Sequence, residues 1–338
     1  MSVLPKVLVA WTVVCLARPA AAANHRTESL AAFGGRYGFP PPVVTEETLT
    51  LQSAYSTLRF GADSRKLAFN GVSIWLHLPV RRHDGDWRIA IEDVATTLRP
   101  LLQPRRFRAV RPSVVVLDPG HGGRDAGAIG AGGLLEKTVV LDLARRVERK
   151  LRGSGLKVRL TRKRDRTLDL RARTTLAAKW GGGLFVSVHL NASVNRNAAG
   201  IETYALAVPG LPSTASDTGD PTPFPGHAHN SGNLFLAYCL HGALLTETGA
   251  ADRGIRRARF QVLRNAPCPA ALVECGFVSN RIEESRLATA VFRDKIAEAI
   301  ARGIRAYVNR TAPGGPGTAG KGTADRAGPA PLQDGTAR

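Results

Sequence analysis

The sequence predicts an α/β fold: a mostly parallel open sheet with helices on both faces, preceded by a small α+β N-terminal module. Three observations predict it. From Val114 to Val308, short apolar runs alternate with stretches of helical periodicity, the pattern of a parallel sheet with crossover helices. Three of those runs, 114–117, 184–188 and 271–273, lead into residues that carry chemistry: His121, His189 and Glu274. Residues 43–102 instead show period-two alternation and Asn-Gly and Asp-Gly turns, which belong to hairpins.

Residues 1–23 read as a signal peptide. Lys6 is followed by an apolar run from Val7 to Ala17, too short to span a bilayer, and Ala20 to Ala23 supply small residues for cleavage. The mature protein is therefore expected to be exported, periplasmic or associated with the cell wall, with no membrane span. Residues 24–42 are polar and rich in Gly and Pro, and read as a flexible lead-in. In the 43–102 module, Val72, Ile74, Leu76 and Leu78 alternate with Ser73, Trp75 and His77 as a half-buried strand after the Asn70-Gly71 turn. Asp84-Gly85 marks a second turn, and residues 92–99 read as a helix stopped by Pro100. His77 and His83 read as surface residues. The module bears a faint resemblance to the small N-terminal domain of copper amine oxidases, from which no copper site follows. Its expected work is binding or positioning.

Residues 103–112 form a basic, proline-containing linker with Arg105, Arg106, Arg108 and Arg111. The second domain, 113–310, opens with the VVVL run, broken by Pro119 and Gly120 just before His121. Val140, Leu143, Ala144, Val147 and Leu151 share one helical face, closed by Gly153 and Gly155. Strands are expected at 156–161, 184–188, 201–206, 261–263 and 271–273, and helices at 170–180, 232–248 and 292–308. Residues 311–338, made of Gly, Ala, Pro and Thr with scattered charges, read as a disordered tail.

The chain has 338 residues and a formal net charge of +20, which draws it to polyanions. It carries no aromatic RNA-binding motif, zinc finger or basic heptad, so no nucleic-acid partner is expected. Cys239, Cys268 and Cys275 lack zinc-finger spacing and read as buried free thiols.

Strand ends that converge on one rim would bring together His121, His189 and two carboxylates, Glu136 and Glu274. Two imidazoles and one carboxylate are a common catalytic Zn²⁺ set, and a second carboxylate beside the open position serves as general base.

Taken in order, VVVLDPGHGGRDAGAIG, LLEKTVVLDLA, TRKRD, VSVHLNAS, GIETYAL and PAALVECGFVSN resemble the zinc-dependent N-acetylmuramoyl-L-alanine amidases of bacterial cell walls, over roughly residues 114–308. The resemblance implies that His121, Glu136 and His189 hold Zn²⁺ and that Glu274 is the catalytic carboxylate. It implies peptidoglycan as substrate and cleavage of the amide between N-acetylmuramic acid and L-alanine. Asp118 and Asn191 are candidates to orient a ligand imidazole or the substrate. Arg173 and Arg253 are candidates to meet stem-peptide carboxylates or to make structural ion pairs. Ala126 stands where the family has Pro, and Gly183 where an Asp commonly precedes the S-x-H strand. In some relatives an insertion covers the zinc until an activator protein binds. Here the corresponding Pro-rich stretch, 208–231, reads as a loop near the cleft, with His227 and His229 as loop residues. The alternatives are a zinc peptidase cutting within the stem peptide and a catalytically inert peptidoglycan-binding regulator. The latter would be expected to lack one of the four site residues.

Overall fold

The computed structural model describes residues 25–106 and 112–311. The predicted signal peptide, residues 107–111 of the linker and the predicted tail from 312 onward lie outside the described residues.

The N-terminal half is built from β1 (Thr27–Ser29), α1 (Leu30–Arg36), β2 (Val43–Val44), β3 (Thr48–Gln52), β4 (Thr57–Gly61), β5 (Ser64–Phe69), β6 (Val72–His83) and β7 (Asp86–Ala90). A helical stretch follows in three parts, α2 (Ile91–Asp93), a wide π turn (Val94–Leu98) and α3 (Arg99–Leu102). Asn70 and Gly71, at φ 49° and 80°, close the β5–β6 hairpin, and Asp84 and Gly85, at 49° and 81°, close β6–β7. Those left-handed angles are what the Asn-Gly and Asp-Gly pairs supply.

Expectations for the N-terminal segment and for the helix end are corrected. Residues 27–36 are no mobile lead-in: they form a strand and a helix, with Leu30 and Phe33 fully buried. Pro100 does not stop the helix, which runs on to Leu102. The turn before it is wound wide, so the amide that proline lacks is not required there.

The second half contains β8 (Val114–Pro119), α4 (Glu136–Lys150), β9 (Lys157–Leu160), α5 (Leu170–Lys179), β10 (Leu184–Asn191), β11 (Ile201–Leu206), α6 (Asn230–Thr248), β12 (Asp252–Ala258), α7 (Gln261–Arg264), β13 (Ala270–Phe277), α8 (Arg281–Ala288) and α9 (Ala290–Thr311). Residues 261–263 are helical rather than extended, and the strand in that region is β12. α4, α6 and α9 pack with Val115, Leu117, Val186 and Val188 on one face of the sheet. α5 and α7 pack with Val116, Phe185 and Leu272 on the other.

The two halves share one sheet, in the order β2-β3-β4-β5-β6-β12-β11-β13-β10-β8-β9. The N-terminal strands pair antiparallel, whereas β9, β8, β10 and β13 run parallel to one another. The join is a parallel pairing of β6 with β12, with Ile74 opposite Ile255. The Ser73 amide donates to Asp252 at 2.8 Å, and the Asp252 carboxylate also meets His241 Nε2 at 2.9 Å. His77 is not a surface residue. It is fully buried at this join, with its Nδ1 3.0 Å from the Pro212 carbonyl and its amide donating to Asp93. A single apolar cluster runs through both halves.

Strand direction places the site. β8, β10 and β13 deliver their carboxyl ends to one rim. β11 runs antiparallel to β13, so its amino end reaches that rim and its carboxyl end reaches the opposite one. The 208–231 stretch follows the carboxyl end of β11 and is therefore not near the cleft. It packs on the far rim, where Thr214 pairs with Arg257 and Pro212 meets His77.

Candidate active site

β8 ends at Pro119, and the chain turns at Gly120, whose amide donates to the Val188 carbonyl of β10 at 3.0 Å. A Cβ on Gly120 would sit 2.6 Å from His189 Nδ1, so glycine is required for the imidazole to lie over the turn. His121 follows with φ 57°, a left-handed conformation uncommon outside glycine. The fold holds it there. Arg173 donates to its carbonyl at 2.8 Å, and the Gly122 amide bonds the Asp125 carbonyl at 2.9 Å. The His121 Nδ1 lies 2.8 Å from Asp125 Oδ2, leaving Nε2 to face Glu136 Oε1 at 3.2 Å.

Two buried guanidinium groups clamp this loop from below. Arg162, from the TRKRD stretch, donates to the carbonyls of Pro119, Gly120 and Lys137. Arg173 donates to Pro119 and His121 and makes a 2.8 Å ion pair with Asp118. Asp118 is fully buried and also accepts from Thr161 and Ser187. Among the described residues it bonds neither imidazole, and Arg173 is buried with it, 3% exposed. Their place is inside the fold, tying β8, β10 and α5 under the loop.

Glu136 is the first residue of α4 and is buried. Its Oε2 accepts from the Ala128 amide at 2.8 Å, while its Oε1 accepts from the Leu190 amide at 3.0 Å and faces His189 Nδ1 at 3.0 Å. Burial alone would lift its pKa, but the bonds to His121 and His189 and their charges hold the carboxyl well below its ordinary range. Burial lowers the affinity of His121 for a proton, and the bonds and charges of Glu136 and Asp125 more than reverse that.

One donor atom from each of His121, Glu136 and His189 lies within 4.8 Å of the others. This donor set suits a divalent ion of intermediate softness such as Zn²⁺, with a coordination position open. The Nδ1–Asp125 contact supplies the carboxylate partner that a ligating imidazole usually has. Sequence reasoning missed Asp125, although it lies four residues after His121 in a glycine-rich loop.

Glu274 stands opposite His189 in the parallel β10–β13 register and opposite Glu202 in the antiparallel β11–β13 register. Its Oε2 is buried without a hydrogen-bond partner among the described residues. Burial first, and then the charges of Glu136 and Glu202, push its pKa well above the carboxylate range. Carboxyl groups in that state are suited to taking up and giving back a proton.

The family comparison agrees with this geometry: residues 115–306 match the N-acetylmuramoyl-L-alanine amidase family. The chain belongs to that family. It is 34% identical to the amidase AmiC of Escherichia coli O6:H1 over 229 residues, which cover 61% of this chain and 55% of that protein. The chain thus spans about half the length of that relative. It is 34% identical to AmiA of Escherichia coli K12 over 243 residues, covering 65% of this chain and 84% of AmiA. The catalytic domain of CwlV, an amidase from Bacillus (Paenibacillus) polymyxa var. colistinus, aligns at a TM-score of 0.50 with 35% identity, over 58% of this chain and 97% of that domain.

In this chain the remaining sequence candidates fall around Glu202, which the sequence reading did not single out. Glu202 is buried and accepts from Asn191 Nδ2 at 2.9 Å, the Tyr204 hydroxyl at 2.6 Å and Arg253 Nε at 2.9 Å. Asn191 therefore binds Glu202 rather than an imidazole. Arg253 pairs with Glu202 and lies over the Phe277 ring, yet keeps a third of its side chain exposed. The signal for Glu202 was the GIETYAL stretch, where a lone Glu interrupts an apolar strand. Gly183 has a local reason as well, since a side chain there would run into Pro112. His227 takes no part in the site: its Nδ1 accepts from the Phe224 amide and its Nε2 meets the Ala207 carbonyl. Cys239, Cys268 and Cys275 are free and buried.

Proposed function

We propose that this chain is an exported zinc hydrolase that cleaves the amide between the lactyl group of N-acetylmuramic acid and L-alanine in peptidoglycan. The observation that carries the reading is the meeting of His121, Glu136 and His189 with Glu274 in register beside His189. Zinc at such a site supplies Lewis acidity, lowering the pKa of water and polarising a carbonyl. His121, Glu136 and His189 would hold it, with Asp125 fixing the tautomer of His121. Glu274 takes the proton from the attacking water. The carbon–nitrogen bond then breaks, and Glu274 returns the proton to the departing L-alanine nitrogen. The buried guanidiniums of Arg162 and Arg173 keep the loop carrying His121 from relaxing out of its left-handed turn. Export rests on the sequence of residues 1–23. Among the described residues no helix is long and apolar enough to cross a membrane.

The test is purified protein on labelled sacculi, with metal content measured in parallel. Release of intact stem peptides with a free L-alanine amine, abolished by chelator and by Glu274→Gln while zinc is retained, is the expected result. Cuts inside the stem peptide would mean a peptidase instead, and binding without release would mean an inert wall-binding protein.

A further inference from the structure

Half of the formal net charge is concentrated in one eighth of the chain. Residues 141–180 hold fourteen Lys and Arg against four Asp and Glu, a net +10 of the total +20. These residues make up most of α4, β9, α5 and their connections, and β9 is the outermost strand of the sheet. The charge therefore lies along one edge of the molecule. Arg145, Arg149, Arg152, Lys157, Lys163, Arg164, Arg166, Arg171 and Lys179 are exposed there, and none has a carboxylate partner among the described residues. Arg145 and Arg166 bond only backbone carbonyls, those of Lys163 and Thr161. The acidic groups nearby are largely occupied: Asp165 by Lys137, Asp142 by Arg146 and Arg293, and Asp118 by Arg173.

This edge is continuous with the candidate active site. β9 runs parallel to β8, so the loop after it, bearing Lys163, Arg164 and Arg166, emerges at the rim that carries His121. The loop touches the His121 turn directly. The Gly123 amide donates to Asp165 at 2.7 Å, the Arg124 amide donates to Thr167, and Gly122 packs on the Arg166 carbonyl. From that rim the cations descend along α4 and β9.

We infer that the α4–β9–α5 edge is a docking surface for the polymeric substrate itself, binding carboxylates of stem peptides next to the one being cut. The inference rests on the peptidoglycan reading of the active site and adds a second contact to it. The occupant follows from continuity and charge. An exposed cation row that begins at the catalytic rim meets whatever polyanion the reacting group is attached to, and peptidoglycan stems carry carboxylates at regular intervals. Exposed charges interact over about a Debye length, ~10 Å at 0.1 M salt, so the contact is salt-sensitive.

The experiment separates docking from catalysis. Wild type and the variant Arg149→Gln/Arg152→Gln/Lys157→Gln/Arg171→Gln are sedimented with purified sacculi in chelator, so that no turnover occurs. Thermal unfolding checks that the variant is folded, and a second variant, Lys163→Gln/Arg164→Gln, tests the loop end of the row. Expected is a loss of binding of about tenfold or more at low salt, a weaker salt dependence in both variants, and loss of wild-type binding to sacculi whose carboxyl groups have been amidated. With zinc restored, hydrolysis of a small soluble muramoyl peptide stays within about twofold of wild type for the first variant while hydrolysis of sacculi falls. Unchanged sedimentation and salt dependence would overturn the inference. So would binding that survives amidation but disappears when phosphodiester polymers are stripped, or a loss confined to vesicles of anionic phospholipid. Failure of wild type to cut the small substrate would count against the amidase reading and leave the sedimentation result standing by itself.

Discussion

Arg173 donates to the backbone carbonyl of His121 at 2.8 Å while ion-pairing with Asp118 at 2.8 Å, so a buried charge pair holds the left-handed turn at the rim of the candidate site. Strain of this kind persists only where its surroundings over-determine it. Removing one member of such a pair leaves an uncompensated charge in the core, which costs about 3–5 kcal/mol. Arg173→Ala is expected to lose that much in urea denaturation. The double variant Arg173→Met/Asp118→Leu should regain much of the stability but not the zinc affinity, because the carbonyls of Pro119 and His121 stay unclamped. Full recovery of zinc binding in the double variant would show that the clamp does not position His121.

Gly120→Ala tests the contact between the turn and His189. The added methyl would stand 2.6 Å from His189 Nδ1, inside the imidazole ring's own space. The imidazole must swing away, so zinc content at equal protein should fall sharply and activity by about a hundredfold or more, in keeping with the cost of misplacing catalytic groups. Thermal stability should change far less than metal content.

Asp125→Asn removes the carboxylate at His121 Nδ1 and leaves the ligand atoms in place. Its side chain is mostly exposed, so folding should be little affected. Loss of a carboxylate behind a ligating imidazole weakens metal binding by about 10–100-fold. Competition with a fluorescent zinc chelator reads this directly, and an unchanged dissociation constant would remove Asp125 from the site.

Burial pushes the thiols of Cys239 and Cys268 up to about 12 and that of Cys275 higher still. Their folded values lie above the unfolded one, so their contribution to stability is complete below about pH 8.5 and is lost as pH rises toward the folded values. At pH 8 far fewer of these thiols are ionised in the folded chain than in the unfolded one. For a chain beginning at Asn24, a maleimide at pH 8 should label these cysteines only as fast as the protein unfolds. Rapid stoichiometric labelling of the native protein would contradict the buried placement.

The candidate site was legible in the sequence because its members stand where the local pattern changes: His121, His189 and Glu274 follow apolar runs, and Glu136 heads an amphipathic stretch. What the sequence hid depended on direction and depth. The rim to which residues 208–231 belong is decided by β11 running antiparallel to β13, and no local pattern carries that sign. β12 reads DRGIRRA, too charged to signal a strand, yet Ile255 and Arg257 are buried, the latter donating to Thr97. Arg162 and Arg173 look like surface residues by type, and only the meeting of β8, β10 and α5 shows them as internal donors. Residues 24–42 were judged by composition, whereas a few well-placed apolar side chains, Leu30 and Phe33, order part of that segment.

The pairing of Ile74 with Ile255 has a practical consequence for anyone trimming this protein. A chain cut to begin near Pro112 would keep His121, Glu136 and His189 but strip β12 of its neighbour. That leaves an open row of backbone amides and carbonyls, and the Tyr238 ring bared by the loss of its Phe69 partner. Such a fragment should clump during expression, and its poor yield would say nothing about its chemistry.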